Sequence, residues 1–284
     1  MINPWLGIGL VIFMLGALQS SVSMIGARYR LHPEIMRKVI HIIMGLICIS
    51  IPWLFADVWP VLLLSGIASS WLIATKTLPV LQRRLGQALN CISRSSSGDV
   101  WFCIGIGLLF WLTHGDWLLY VVPVLILTCA DAAAALIGVF YGRTFYTTFD
   151  GTKSLEGSLA FLIVAWACSY VPLALFSELG TTTCLLASSA LASSMMLLEA
   201  QSPRGSDNIL VPLGSMLLLK IAMNAALPRP VMLCVLALAS VFCLFLILRQ
   251  GSWQLYSLRG GVGDAGSATT PSPPQTTYKA KAER

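Results

Sequence analysis

Apolar runs long enough to cross a bilayer recur about nine times along this chain, and that repetition leaves little choice of architecture. In hydrocarbon no water satisfies a backbone N–H or C=O, so each run must close its own hydrogen bonds as a helix. The runs fall at 5–25, 39–56, 58–75, 99–114, 117–140, 155–177, 180–200, 209–224 and 230–249. Only 11% of the 284 residues are charged and 57% are hydrophobic, against about 25% charged in a soluble domain. The expected fold is therefore all-α, a polytopic transmembrane helix bundle of about nine spans. The first run lacks a basic leader and is long, so it reads as a retained anchor rather than a cleaved signal.

Charge placement orients the bundle. Arg28, Arg30, Arg37 and Lys38 lie in the connection 26–38, and Lys76, Arg83, Arg84 and Arg94 in 76–98. Arg143, Lys153 and Arg204 lie in the next two basic connections, whereas the alternate ones hold only Arg229. Every second loop is basic, which predicts an external N-terminus, a cytoplasmic C-terminus and all basic loops on one face. The net charge of +6 thus reports topology; no basic patch points to nucleic acid. Residues 1–250 read as one transmembrane catalytic domain and 251–284, rich in Gly, Ser, Thr and Pro, as a disordered cytoplasmic tail. A Gly-x-Gly-x-x-Gly in that tail (Gly261, Gly263, Gly266) has no strand before it or helix after it, so it is no nucleotide fingerprint. The segment 78–92 has leucines at helical spacing and a basic face, as in a helix lying along headgroups. Eight scattered cysteines without a Cys-x-x-Cys pair or a His cluster read as small buried residues.

The chemistry concentrates in Asp131 to Ser158. Asp131 opens an alanine run inside the fifth apolar segment, and a carboxylate there costs roughly 2.5–3.5 kcal/mol on insertion scales, so it marks a functional site. The alternative is a helix-packing carboxylate paired with a basic residue of another span. Such a group could ligate Mg²⁺ or accept the proton of an attacking hydroxyl. Gly138 and Gly142 have the spacing of small-residue helix packing, or of a turn whose N–H groups approach phosphate. Lys153, Ser154, Glu156 and Gly157 open the sixth span, where free N–H donors and the helix dipole suit phosphate; Glu156 alternatively caps the first turn. Arg37, His41 and Gly45 share one helical face with Lys38 beside them, placing two cations and an imidazole at one bundle end. Glu199, Asp207 and Asn208 add carboxylates and an amide near the seventh and eighth spans, with Asp207 and Asn208 otherwise simple helix caps. Three separated segments thus supply cations, carboxylates and helix N-termini, a combination suited to phosphoryl transfer.

The ordered set Arg37-Lys38-x-x-His41-x-x-x-Gly45, Gly98-Asp99-Val100-Trp101, Asp131-Ala-x-Ala with Gly138 and Gly142, Lys153-Ser-Leu-Glu-Gly-Ser158, then Glu199 and Asp207-Asn208 before Pro212 resembles the CTP-dependent lipid-alcohol kinases. These comprise the dolichol, phytol and CTP-dependent diacylglycerol kinases, and the likeness covers roughly residues 30–225. It implies transfer of the γ-phosphoryl group of CTP, with Mg²⁺ or another divalent cation, to a lipid alcohol lying in the bilayer. It implies a nucleotide and catalytic region built from Arg37, Lys38, Asp131, Gly138, Lys153 and Glu156. The CDP-diacylglycerol synthases are cousins that share the Asp131, glycine and Lys153 block, but their further Gly-Asp-Leu-x-x-Ser and Lys-Arg-x-x-x-x-Lys-Asp blocks are absent here.

The resulting assignment has Asp131, Lys153 and Glu156 as catalytic residues. Arg37, Lys38, His41, Gly138, Gly142, Ser154, Gly157 and Asn208 contact nucleotide, and Asp131, Glu199 and Asp207 bind metal. The partners are CTP, a lipid alcohol and the bilayer, in the endoplasmic reticulum or a bacterial inner membrane, with the active site facing the cytoplasm. A cytidylyltransferase is the nearest rival and a transporter the second; no internal repeat supports the latter.

Overall fold

A computed structural model describes residues 2–29, 32–78, 97–148, 151–203, 205–223 and 256–257. The chain forms α1 (Pro4–Tyr29), α2 (Pro33–Ile49), the short α3 (Ile51–Leu54), α4 (Val58–Thr77), α5 (Gly98–Thr113) and α6 (Trp117–Leu125). A π-helical turn, Ile126–Ala130, joins α6 to α7 (Asp131–Tyr141) without a break. Strands β1 (Thr144–Thr148) and β2 (Gly151–Ser154) follow, then α8 (Leu155–Phe176), α9 (Thr181–Gln201), α10 (Asp207–Met223) and the two-residue β3 (Tyr256–Ser257).

Among the described residues, five helical segments are long and apolar enough to cross a membrane: Glu34–Leu54, Val58–Thr77, Trp117–Tyr141, Leu155–Phe176 and Thr181–Gln201. Pro4–Leu18 and Gly98–Thr113 are shorter apolar helices. The ninth span (230–249) and, beyond Leu78, the proposed headgroup helix (78–92) lie outside the described residues, as does the tail apart from β3.

The helix α6 is the axis of the bundle. Its residues are apolar on every side, the signature of a helix packed all round rather than on one face. Tyr120, Val121, Val124 and Leu127 join a core with Ile8, Val11, Ile47, Phe102, Ile106 and Leu109. The opposite side, Leu118, Leu119, Val122, Ile126 and Ala130, joins a second core with Phe161, Ala165, Leu191, Met195 and Val211. Helices α1, α2, α4 and α5 therefore lie on one side of the axis and α8 and α9 on the other, with α10 joining both cores through Met216 and Val211. Packing from both sides fixes the position of Asp131, which lies within the continuous Trp117–Tyr141 helix.

Two sequence expectations need correction. The fold is not purely helical: β1 and β2 pair antiparallel, with Tyr146 opposite Lys153, and β3 adds to the other edge of β1 through Thr144 and Phe145. Thr144–Thr148, wholly β-branched or aromatic, satisfies its backbone as a ladder instead of a loop. Gly151 follows the hairpin turn at φ +131°, a backbone few side-chain-bearing residues adopt. The second helix starts at Pro33, not residue 39. Pro33 suits a first helical position, and His32 Nδ1 accepts the Glu34 N–H at 3.2 Å. Arg37 and Lys38 are consequently helical residues within the bundle, rather than residues of a connection.

Candidate functional site

The functional residues converge at one end of the bundle. Lys38 of α2 donates to Asp131 Oδ2 at 2.6 Å, and both side chains are largely withdrawn from solvent. His41, one turn along α2, places Nε2 at 3.0 Å from the Leu127 carbonyl and 3.4 Å from Asp131 Oδ2. From the other side of the axis, Lys153 at the end of β2 donates to the Glu199 carboxylate and carbonyl at the end of α9. Asp207 begins α10. Carboxylate oxygens of Asp131, Glu199 and Asp207 all lie within 4.8 Å of one another.

That arrangement brings together residues separated by up to 169 positions, from Lys38 to Asp207, out of four helices and a strand. Three carboxylates this close repel one another, and Lys38 and Lys153 offset part of that repulsion. Asp207 Oδ1 is buried with no hydrogen-bond partner. A buried carboxylate oxygen without a donor is costly unless a cation or donor completes it. Clustered carboxylate oxygens are the ligand type that Mg²⁺ and Ca²⁺ select. The three side chains therefore suit a divalent cation, and the orphaned oxygen is the sign of it in this structure.

Other predicted residues sit differently. Arg37 turns back to Glu34 on its own helix. The Glu156 carboxylate accepts the Thr144 N–H at 3.1 and 3.2 Å, anchoring the start of β1, so it stands apart from the converging carboxylates. Its N–H clamp is the capping role, transferred from its own helix to the neighbouring hairpin. Ser154 Oγ accepts the Gly157 N–H at 3.1 Å and is the N-cap of α8. A Cβ on Gly157 would meet the Ala134 carbonyl at 2.8 Å and Gly138 Cα at 3.3 Å. One on Gly142 would meet Ser154 Cβ at 2.9 Å. Gly138, Gly142 and Gly157 are thus occupied in bringing α7 against α8. Asn208 Nδ2 donates to the Gly98 carbonyl at 3.0 Å while its Oδ1 is buried without a partner.

Several residues at this end escaped sequence reasoning. Tyr146 shares a 2.6 Å hydrogen bond with Ser158, and burial pushes the phenol up from its ordinary pKa, keeping it neutral. Lys76 of α4 pairs with Asp99 of α5 at 2.9 Å. Gly205 packs on Gly98, whose Cα would lie 2.5 Å from an added Cβ. Only the Gly98-Asp99 pair carried any signal, as part of a motif. The π turn has none, because its composition, Ile-Leu-Thr-Cys-Ala, is that of any apolar helix.

No family profile matches the chain and no solved structure matches it. It is 29% identical to the phytol kinase of Synechocystis sp. over 217 residues, which covers 75% of this chain and 90% of that protein. Over most of its length this chain is therefore similar to a lipid-alcohol kinase.

Proposed function

We propose that this protein transfers the γ-phosphoryl group of CTP to the hydroxyl of a membrane lipid alcohol: phytol, a polyprenol such as dolichol, or diacylglycerol. The observation that carries the reading is the meeting of Asp131, Glu199 and Asp207 with Lys38 and Lys153 at one end of an apolar bundle. Relationship to a phytol kinase supports the acceptor class.

The lipid hydroxyl oxygen forms a bond to the γ-phosphorus as the bond from that phosphorus to its bridging oxygen breaks, and CDP departs with the electron pair. Phosphoryl transfer is catalysed chiefly by positioning and charge neutralisation. Lys153 and Lys38 supply positive charge for the phosphates, with Arg37 nearby at the mouth. Asp131, Glu199 and Asp207 would hold Mg²⁺, which when bound would draw charge from the β- and γ-oxygens. The hydroxyl proton passes to a carboxylate oxygen of the cluster that the cation leaves free. The active site faces the cytoplasm, where CTP is available.

Incubation of the purified protein with CTP labelled at the α or γ position, Mg²⁺ and a panel of the three alcohols in vesicles tests this. Only the γ label should reach lipid. Transfer of the α label would instead indicate a cytidylyltransferase, and solute uptake with no labelled lipid a transporter.

A further inference from the structure

The axis helix does not run straight into Asp131. It changes from α to π geometry for one turn, Ile126–Ala130, immediately before that residue. A π turn inserts an extra residue into the helix, which rotates everything beyond it by about 100° and widens the carbonyl ladder. Asp131 is the first residue after the turn, so the turn decides which way its carboxylate points.

Helix α2 packs along this irregular turn at three levels. Lys38 meets Asp131 itself. His41 Nε2 lies 3.0 Å from the Leu127 carbonyl, so that nitrogen carries the hydrogen. Its proton is committed to the backbone while the same edge of the ring sits 3.4 Å from Asp131 Oδ2. Phe102 of α5 holds the ring edge-on at 5.5 Å. Gly45, one further turn away, lies so close to Thr128 that any Cβ would collide with the threonine side chain. Thr128 Oγ1 is buried with no partner, so its hydroxyl does not explain that closeness.

We infer that His41 is a positioning residue, holding the π turn through the Leu127 carbonyl so that Asp131 faces the metal and Lys38, and that it does not contact nucleotide. Gly45 serves the same contact by allowing α2 to lie against Thr128. This rests on the kinase reading above for its catalytic consequence, but its geometric content does not.

His41→Leu removes the donor and keeps the bulk; His41→Gln keeps an N–H of similar reach. For His41→Leu, kcat should fall about 10- to 100-fold, the range seen when support of a metal ligand is lost, with KM for CTP changed less than about threefold. His41→Gln should recover most of that loss. Gly45→Ala should lower kcat, and Gly45→Ala/Thr128→Gly should recover part of it, because only loss of the Thr128 Cβ, 2.7 Å from the added methyl, removes the collision. Mn²⁺ titration followed by electron paramagnetic resonance gives a readout independent of turnover: His41→Leu should weaken Mn²⁺ binding about tenfold. A rise in KM for CTP with kcat unchanged overturns the inference in favour of a nucleotide contact. His41→Leu indistinguishable from wild type in kcat and Mn²⁺ affinity, or His41→Gln no better than His41→Leu, also overturns it. If the wild-type protein moves no phosphate from CTP, the kinase reading has failed, while the Mn²⁺ titrations and the Gly45/Thr128 pair, read by Mn²⁺ affinity, still decide the role of His41.

Discussion

Lys38 and Asp131 stand 93 positions apart and meet at 2.6 Å, with Lys38 only 2% exposed. A buried pair of this kind gains little by itself, yet removing one partner leaves an uncompensated charge. Lys38→Met should therefore destabilise the protein by about 3–5 kcal/mol, and Lys38→Met/Asp131→Asn by clearly less, measured by thermal unfolding in detergent. Additive losses in the double variant would show that the two charges do not interact. Catalysis separates the carboxylates differently. Asp131→Asn should lower γ-phosphoryl transfer by about 10²–10⁴-fold, the range for loss of an acid–base or charge-positioning group. Glu199→Gln should do likewise because Glu199 belongs to the cluster. Glu156→Gln should leave kcat within about threefold of wild type, since an amide oxygen can still accept the Thr144 N–H that Glu156 holds. A collapse of kcat in Glu156→Gln with the fold intact would restore that carboxylate to the catalytic centre.

Among the elements, the contact of α7 with α8 is set by backbone proximity more than by side chains. Gly157→Ala should cost roughly 1–3 kcal/mol by overpacking, because its Cβ would lie 2.8 Å from a main-chain carbonyl that cannot turn aside. Gly66→Ala on α4 meets nothing within 4 Å and should be neutral or slightly stabilising; equal losses at both positions would refute the close-approach account. These elements also show what the sequence reveals. The long apolar runs are legible because hydrocarbon permits only one local solution, and the helix α8 begins where Ser154 signals a cap. The hairpin was hidden because five residues of Thr and aromatic character resemble a polar loop between spans, and its pairing is with sequence only three residues on. Asp131 and Glu199 stood out as charges in or beside apolar runs, and Asp207 as a carboxylate at the start of the eighth. Their mutual distance was not readable, since it depends on how α6, α9 and α10 pack. The destination of Glu156 was equally out of reach: a carboxylate in a first helical turn has several nearby N–H groups, and the hairpin decides among them.

Across the whole molecule the two ends of the bundle differ in chemistry. Lys38, Lys76, Asp99, Asp131, Lys153, Glu199 and Asp207 gather at one end with the hairpin. At the other, Trp53 stacks near Trp117 at 6.2 Å and Trp117 meets Phe176 at 5.1 Å. Tryptophans concentrate at a membrane–water boundary, where an apolar body and a polar N–H are both accommodated. An axis helix of 25 residues, Trp117–Tyr141, spans about 37 Å at 1.5 Å per residue, so Trp117 and the hairpin belong to opposite surfaces. The proposed function requires the carboxylate end on the cytoplasmic side, the face that the charge bias of the basic loops predicts. Thr147, exposed on β1, and His114, exposed beyond α5, are probes for the two surfaces. With the native cysteines replaced, Thr147→Cys in sealed vesicles of cytoplasm-inside orientation should resist a membrane-impermeant maleimide until the vesicles are opened. His114→Cys should react at once. The reverse pattern would put the carboxylate cluster on the face away from cytoplasmic CTP, and the nucleotide assignment could not then stand.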